Sequence, residues 1–275
     1  MAFADREMLH RSEPGLPSMS AIGADLAHLS RRRRTIELAW PLVLVACFAL
    51  TAMRGWWPAA LASVVLFFPR FGVAFHDLLH SSLGLRPHTN RVWLAVIGLL
   101  ALQSGHAVQR THLAHHRYYP GKEDPEAYLG RLPLWRAVLD GPIYQYRMWA
   151  WALRHARDVR TIVIGEAALH VLIVLTAVAL LPRTAIPAVY VGLILAGDSV
   201  FPALSENLLH HHAGRTPFER ARTIRGPLFQ AYFLELGFHL EHHAYPKVPT
   251  RNCAELARRL QPTLDRFGVT PTTTL

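Results

Sequence analysis

Histidine is heavily over-represented in this chain, at 17 of 275 residues, and its placement is ordered. Two segments repeat one spacing, His112-Leu113-Ala114-His115-His116 and His239-Leu240-Glu241-His242-His243, and a looser relative, His76-Asp77-Leu78-Leu79-His80, precedes both. On a helix, residues i, i+3 and i+4 share one face, so each repeat presents three imidazoles together. Neutral imidazole suits Fe, Zn, Cu and Ni, so these faces read as walls of a shared pair of metal sites without naming the metal. A single H-x-x-x-H is common in helices and means little; two H-x-x-H-H motifs are a specific signal.

The elements that must position these faces are apolar. With 51% hydrophobic and 17% charged residues, the composition points to one compact all-α integral membrane domain. Apolar runs at 36–53, 58–75, 161–182 and 186–205 are each about long enough to cross a bilayer core of roughly 30 Å. We read them as four transmembrane helices in two hairpins, with a cytosolic helical cap carrying the histidine clusters. Arg31 to Arg34 hold the first run's start in the cytosol, and of 29 Lys and Arg only Arg54 and Arg183 fall in the two far-side turns. Residues 91–109 are also apolar, but a crossing there would put the second cluster on the wrong side. Gln103, Ser104, Gly105 and His106 interrupt the run, and we assign it as re-entrant or interfacial. The aromatic and basic stretch from Tyr118 to Arg160 fits helices at headgroup level. The expected divisions are a mostly disordered cytosolic tail over 1–34, a membrane domain over 35–262 and a C-terminal tail over 263–275.

In order and placement, the three clusters resemble the histidine boxes of the membrane fatty acid desaturase and hydroxylase superfamily, over about residues 36–260. The resemblance implies a non-haem di-iron centre, two Fe ions with O2 as co-substrate, acting on a C–H bond of a lipid chain. It assigns His76 and His80 to the first box, His112, His115 and His116 to the second, and His239, His242 and His243 to the third. Stearoyl-type members add N-x-x-x-H after the fourth span. Asn207-Leu208-Leu209-His210-His211 matches that spacing, which makes His211 a ninth ligand and Asn207 the holder of a metal-bound water. His210 and His212 are then expected to point elsewhere. Asp124-Pro125-Glu126 and Tyr245-Pro246-Lys247-Val248-Pro249 are further family-like loops, whereas Leu78-Leu79 departs from the small residue usual in the first box. Asp77, Glu241 and Asp124 are expected to accept imidazole N–H groups and orient the rings.

Within the superfamily a fatty acyl desaturase leads, with a lipid or carotenoid hydroxylase or ketolase as runner-up. The rival from another class is a histidine-rich metal transporter, whose site would lie near the bilayer midplane, where only His170 falls. Neither a haem motif nor a G-x-G-x-x-G nucleotide fingerprint is found, so electrons come from an external donor. The net charge of +10 suits an acidic ferredoxin or a b5-type protein. It does not indicate nucleic acid, since no recognition module accompanies it. The location expected is a bacterial inner membrane, with both termini and the boxes cytosolic. Cys47 and Cys253 show neither metal spacing nor a disulfide framework. His88, His106 and His155 read as packing or interface residues, like His170, and His10 and His28 as tail residues. Inside the spans, Arg70 and Glu166 sit about 9 Å from the same interface by helical rise and are expected to pair. Asp198 lies deeper, with no evident mate.

Overall fold

The computed structural model describes residues 15–210, 214 and 216–273, and it is predominantly helical. Seven helices of 14 or more residues dominate the first three-quarters of the described chain: α1 (Arg31–Met53), α2 (Trp57–Leu79), α3 (Pro87–Leu100), α4 (Gly105–Tyr118), α5 (Gly141–His155), α6 (Arg160–Ala179) and α7 (Ile186–Pro202). Among the described residues, four helical stretches are long and apolar enough to cross a membrane, namely α1, α2, Arg157–Ala179 and Ile186–His210. Their sequence explains both formation and exposure. Ser30 caps α1 by accepting from the Arg33 amide, and α2 opens on Pro58, whose missing N–H is harmless in a first turn. Leu38, Leu44 and Phe48 of α1 bury against Phe67, Phe71, Phe75 and Leu78 of α2. In contrast, α6 leaves Leu169, Leu172, Leu175 and Val178 exposed, as a helix does when its outer face meets lipid.

Between the two pairs, α3 and α4 meet at 104° across a break of a few residues. Two glycines permit the approach. A Cβ on Gly98 would lie 2.6 Å from the Gln103 carbonyl oxygen, and one on Gly105 would collide with the Leu94 backbone. Irregular backbone at membrane depth requires protein partners for its polar groups. Here the Gln103 amide donates to Asp198 Oδ1 (2.9 Å), the Ser104 hydroxyl to Glu166 Oε2 (2.5 Å), and the Tyr190 hydroxyl to the Leu100 carbonyl (2.8 Å). The acids of α6 and α7 therefore clamp the bend, and Asp198 has its mate in Gln103.

That arrangement corrects the expected Arg70–Glu166 pair. Both Glu166 oxygens are engaged by Ser104 and His106, whereas Arg70 lies over the Trp40 ring at 5.2 Å, with its buried Nη1 making no hydrogen bond to the described residues. Helical rise gave the two residues a common depth; it said nothing of the direction each faces around its helix.

The polar ends also differ from the tails expected. Residues 1–14 lie outside the described residues. From residue 19 the chain forms a short helix, Met19–Ile22, and a 3-10 turn, Ala24–Ala27. Three further helices end the chain: α8 (Pro227–Phe233), α9 (His239–Ala244) and α10 (Cys253–Arg266). Ile22 and Leu26 bury against Leu256, Ala257 and Leu260 of α10, while Arg259 bonds the Ile22 carbonyl and both oxygens of Asp25. At the other end α10 passes residue 262 and buries Leu264, and β2 (Thr272–Thr273) pairs in parallel with β1 (Ile224–Arg225). An amphipathic C-terminal helix supplied an apolar face, and the segment before α1 covers it.

Candidate metal centre

The histidine faces converge. His76 and His80 sit at the C-terminal end of α2; His112, His115 and His116 on α4; His239, His242 and His243 on α9. Ring centroids are 4.1 Å apart for His76 and His242, 4.6 Å for His80 and His116, and 4.3 Å for His116 and His243. Two donor groups result, each with its ligand atoms within 4.8 Å of one another: His76, His80, His112 and His242, and His115, His210 and His243. His116 joins the first, with its Nε2 3.0 Å from that of His242, and His239 joins the second, with its Nε2 3.0 Å from that of His210.

Hydrogen bonds at the opposite ring nitrogens orient several of these imidazoles. His112 Nδ1 donates to Glu126 Oε2 (3.1 Å) and His115 Nδ1 to Asp124 Oδ2 (2.9 Å). The Asp124 Oδ1 oxygen in turn accepts the amides of Glu126 and Ala127, which fixes the loop after α4. His210 Nδ1 donates to the Arg220 carbonyl (3.0 Å). His76 Nδ1 lies 3.2 Å from Thr250 Oγ1, and Asp77 Oδ1 accepts both the hydroxyl and the amide of Thr250 at 2.8 Å. With Nδ1 protonated in this way, Nε2 carries the lone pair. The Nε2 atoms of His76, His80, His112, His115 and His243 are buried and have no hydrogen-bond partner among the described residues. Buried polar atoms are rarely left so, and an inward-facing set of lone pairs is what a metal ion satisfies.

The electrostatics agree. Burial holds His80, His116, His239, His242 and His243 well below the usual imidazole range, and repulsion among the rings adds to it, so these rings are neutral as ligation requires. His115 is different: burial opposes its charge, but the Asp124 hydrogen bond and charge outweigh burial and push it up to about 9. Asp124 is correspondingly held below its ordinary range despite its burial, by its bond to His115.

A sequence model of the fatty acid desaturase family matches residues 54–274. The chain belongs to the fatty acid desaturase family. A comparison with curated proteins found no match. Family membership makes the chain an oxidoreductase of the desaturase and hydroxylase superfamily, and with its four apolar helices a multi-pass membrane protein. The resemblance read from the three boxes is thereby shown.

Within this desaturase-family fold the eight box histidines come together as the spacing predicts, whereas the fourth segment departs from expectation. His211 lies outside the described residues. Among the described residues, the ring of this segment that enters the cluster is His210, expected to point away. Asn207 is not turned toward the metal groups: its amide donates to the carbonyls of Leu129 (2.6 Å) and Leu132 (2.7 Å). A π-helical turn over Ala203–Asn207 lies between α7 and the short turn Leu208–His210, so spacing counted on a regular helix does not carry through this segment. Of the three expected orienting acids, Asp124 touches its histidine directly and Asp77 acts through Thr250. Glu241 bonds Thr223 Oγ1 (2.5 Å) rather than a ring. Sequence reasoning did not single out Glu126 or Thr250. Glu126 stood in the quoted Asp-Pro-Glu loop, while nothing local marks Thr250, which lies far from His76 in the chain.

Proposed function

We propose that this protein is an O2-dependent di-iron oxidoreductase that attacks a C–H bond of a lipid chain, specifically a fatty acyl desaturase. The observation that carries the reading is the set of unpartnered, inward-facing imidazole nitrogens, divided into two donor groups and backed by Asp124, Glu126 and the Thr250–Asp77 relay. Imidazoles of this kind suit iron among other metals, and the family supports iron. His76, His80, His112 and His242, with His116, would hold one ion; His115, His210 and His243, with His239, the other. Two irons bound there supply, with O2 and two electrons, the oxidising power that an unactivated C–H bond demands.

The chain's own residues bind and orient. Asp124, Glu126, Thr250 and the Arg220 carbonyl keep each imidazole in its ligating tautomer. Packing of α9 across α2 and α4 excludes water from the ring cluster, where most of the histidines are buried. The bilayer supplies the lipid substrate, and the helices whose outer faces are apolar deliver it. We further propose that α1 with α2, and α6 with α7, cross a bacterial inner membrane as two hairpins, while α3 and α4 form a re-entrant pair that does not. Both termini and the histidine cluster then lie in the cytosol, within reach of an acidic ferredoxin or b5-type donor.

The test is to feed labelled acyl lipids and carotenoids to cells making the protein and to analyse products by mass spectrometry. Desaturated acyl chains, formed with O2 uptake and lost in His112→Ala, are the expected result. Hydroxylated or keto products alone would replace desaturation by the superfamily's other chemistry. Metal movement without oxidised product would overturn the enzyme reading.

A further inference from the structure

A cavity of about 400 Å³ lies behind the third box, between α9, the segment around β1 and the chain that follows α10. Leu240 and Leu264 give it an apolar side, and the Thr272 amide pins β2 beside it by donating to the Thr223 carbonyl. Four charged side chains share its wall: the acids Glu219 and Glu241, and the guanidinium groups of Arg222 and Arg225. A few polar groups set in an apolar frame of this size are the usual make-up of a small-ligand site.

The metal centre makes no use of these charges. Glu241 stands between His239 and His242 in the chain, yet its Oε2 accepts from Thr223 Oγ1 (2.5 Å) and from no ring. The residue is fully buried, and its Oε1 has no hydrogen-bond partner among the described residues. Arg225 Nη2 donates to Gln261 Oε1 (3.1 Å), while its Nε is buried and likewise without a partner among them. Two opposite charges therefore line one cavity, each with an unsatisfied atom. Such atoms are rare in a protein interior, and a charged one is costlier than a neutral one.

The unmet needs define the ligand. A carboxylate oxygen only accepts and a guanidinium N–H only donates, so an occupant must offer both a donor and an acceptor. A lone anion would meet Glu219 and Glu241 as well as the arginines, and a lone cation would meet the arginines as well as the acids. A molecule carrying both charges complements the whole wall. Two guanidinium groups suit a phosphate in particular.

We propose that this cavity binds a small zwitterion, with its ammonium on Glu241 and its phosphate on Arg222 and Arg225. That is the chemistry of phosphoethanolamine, either free or as a lipid headgroup. The site needs neither iron nor the oxidoreductase reading.

Isothermal titration calorimetry of the intact protein in detergent tests the assignment, with O-phosphoethanolamine as the probe and inorganic phosphate and ethanolamine as its two halves. One saturable site is expected for O-phosphoethanolamine, with each half binding at least about tenfold more weakly. Arg225→Gln and Glu241→Gln should each weaken the probe by at least about tenfold, since each removes one of the two charged contacts. Absence of saturable O-phosphoethanolamine binding would overturn the proposal, as would equal binding of inorganic phosphate, or parent-like affinity in Glu241→Gln. If melting curves show that Glu241→Gln does not fold, Arg225→Gln and the comparison of the two halves decide, and unchanged affinity in Arg225→Gln refutes the site. Nanodiscs separate the two sources. Weaker O-phosphoethanolamine binding in phosphatidylethanolamine discs than in phosphatidylglycerol discs assigns the site to a lipid headgroup, and equal binding assigns it to the free zwitterion.

Discussion

Replacing Thr250 by Val tests whether residues behind the imidazoles set metal affinity. Thr250 Oγ1 has one proton, and Asp77 Oδ1 at 2.8 Å, which only accepts, takes it. The hydroxyl oxygen is then left to accept from His76 Nδ1 at 3.2 Å, and His76 presents its Nε2 lone pair to His80, His112 and His242. Val matches Thr in shape and β-branching, so the 3-10 turn Thr250–Asn252 and its amide bond to Asp77 survive. Two hydrogen bonds vanish, however, and the His76 N–H loses its acceptor. An unsatisfied group of that kind costs about 1–3 kcal/mol. Loss of an orienting partner behind a ligating histidine lowers metal affinity by about 10–100-fold, and at about 1.4 kcal/mol per tenfold this is the same size. Anaerobic Fe(II) titration against a competing chelator measures it. Thr250→Ser, which keeps the hydroxyl, should stay near the parent value. Equal affinities for Thr250→Val and the parent, or equal losses in Val and Ser, would refute the relay.

Other outcomes follow from the same geometry. His210→Ala should weaken one of two bound irons by at least about tenfold, measured by the same titration, whereas unchanged binding would return the ligand role to another residue of that segment. Glu166→Leu leaves the Ser104 hydroxyl and His106 Nδ1 without their acceptor in the bend. It should destabilise the metal-free protein by about 3 kcal/mol, read as a lower unfolding midpoint in detergent, and Arg70→Leu should not reproduce it. For pH the sign comes from His115, whose value is raised to about 9 in the folded, metal-free chain. Its charge contributes stability that is fully present below about 6.5, the unfolded value, and is lost as pH climbs through about 9. Iron must displace that proton, so apparent affinity at this site should rise by up to about tenfold per unit between pH 7 and 9 and then level, with Asp124→Asn flattening the slope. Gly105→Ala should lower the unfolding midpoint, because a Cβ there meets the Leu94 backbone and the bend must open.

Composition and spacing settled what the chain is made to do at the level of helices. Four apolar runs, three histidine faces and the polar interruption at Gln103 to His106 are local patterns, and periodicity reads local patterns well. The eight box histidines meet on the facing parts of α2, α4 and α9. What failed were inferences about direction. Arg70 and Glu166 shared a depth and not an azimuth. Glu166, expected to pair with Arg70, and Asp198, which had no evident mate, both serve a turn contributed by another part of the chain. Thr250 reaches His76 across more than half the sequence, and no spacing could signal it.

His210 is the sharpest case. The sequence by itself placed three consecutive histidines after the fourth apolar run, and the family resemblance singled out His211 among them. Among the described residues it is His210 whose ring reaches the cluster, after a π-helical turn over Ala203–Asn207 in which the Asn207 amide donates to the Leu129 and Leu132 carbonyls. A regular helix and one with a π turn have the same local spacing in the chain, so only the packed tertiary structure tells them apart.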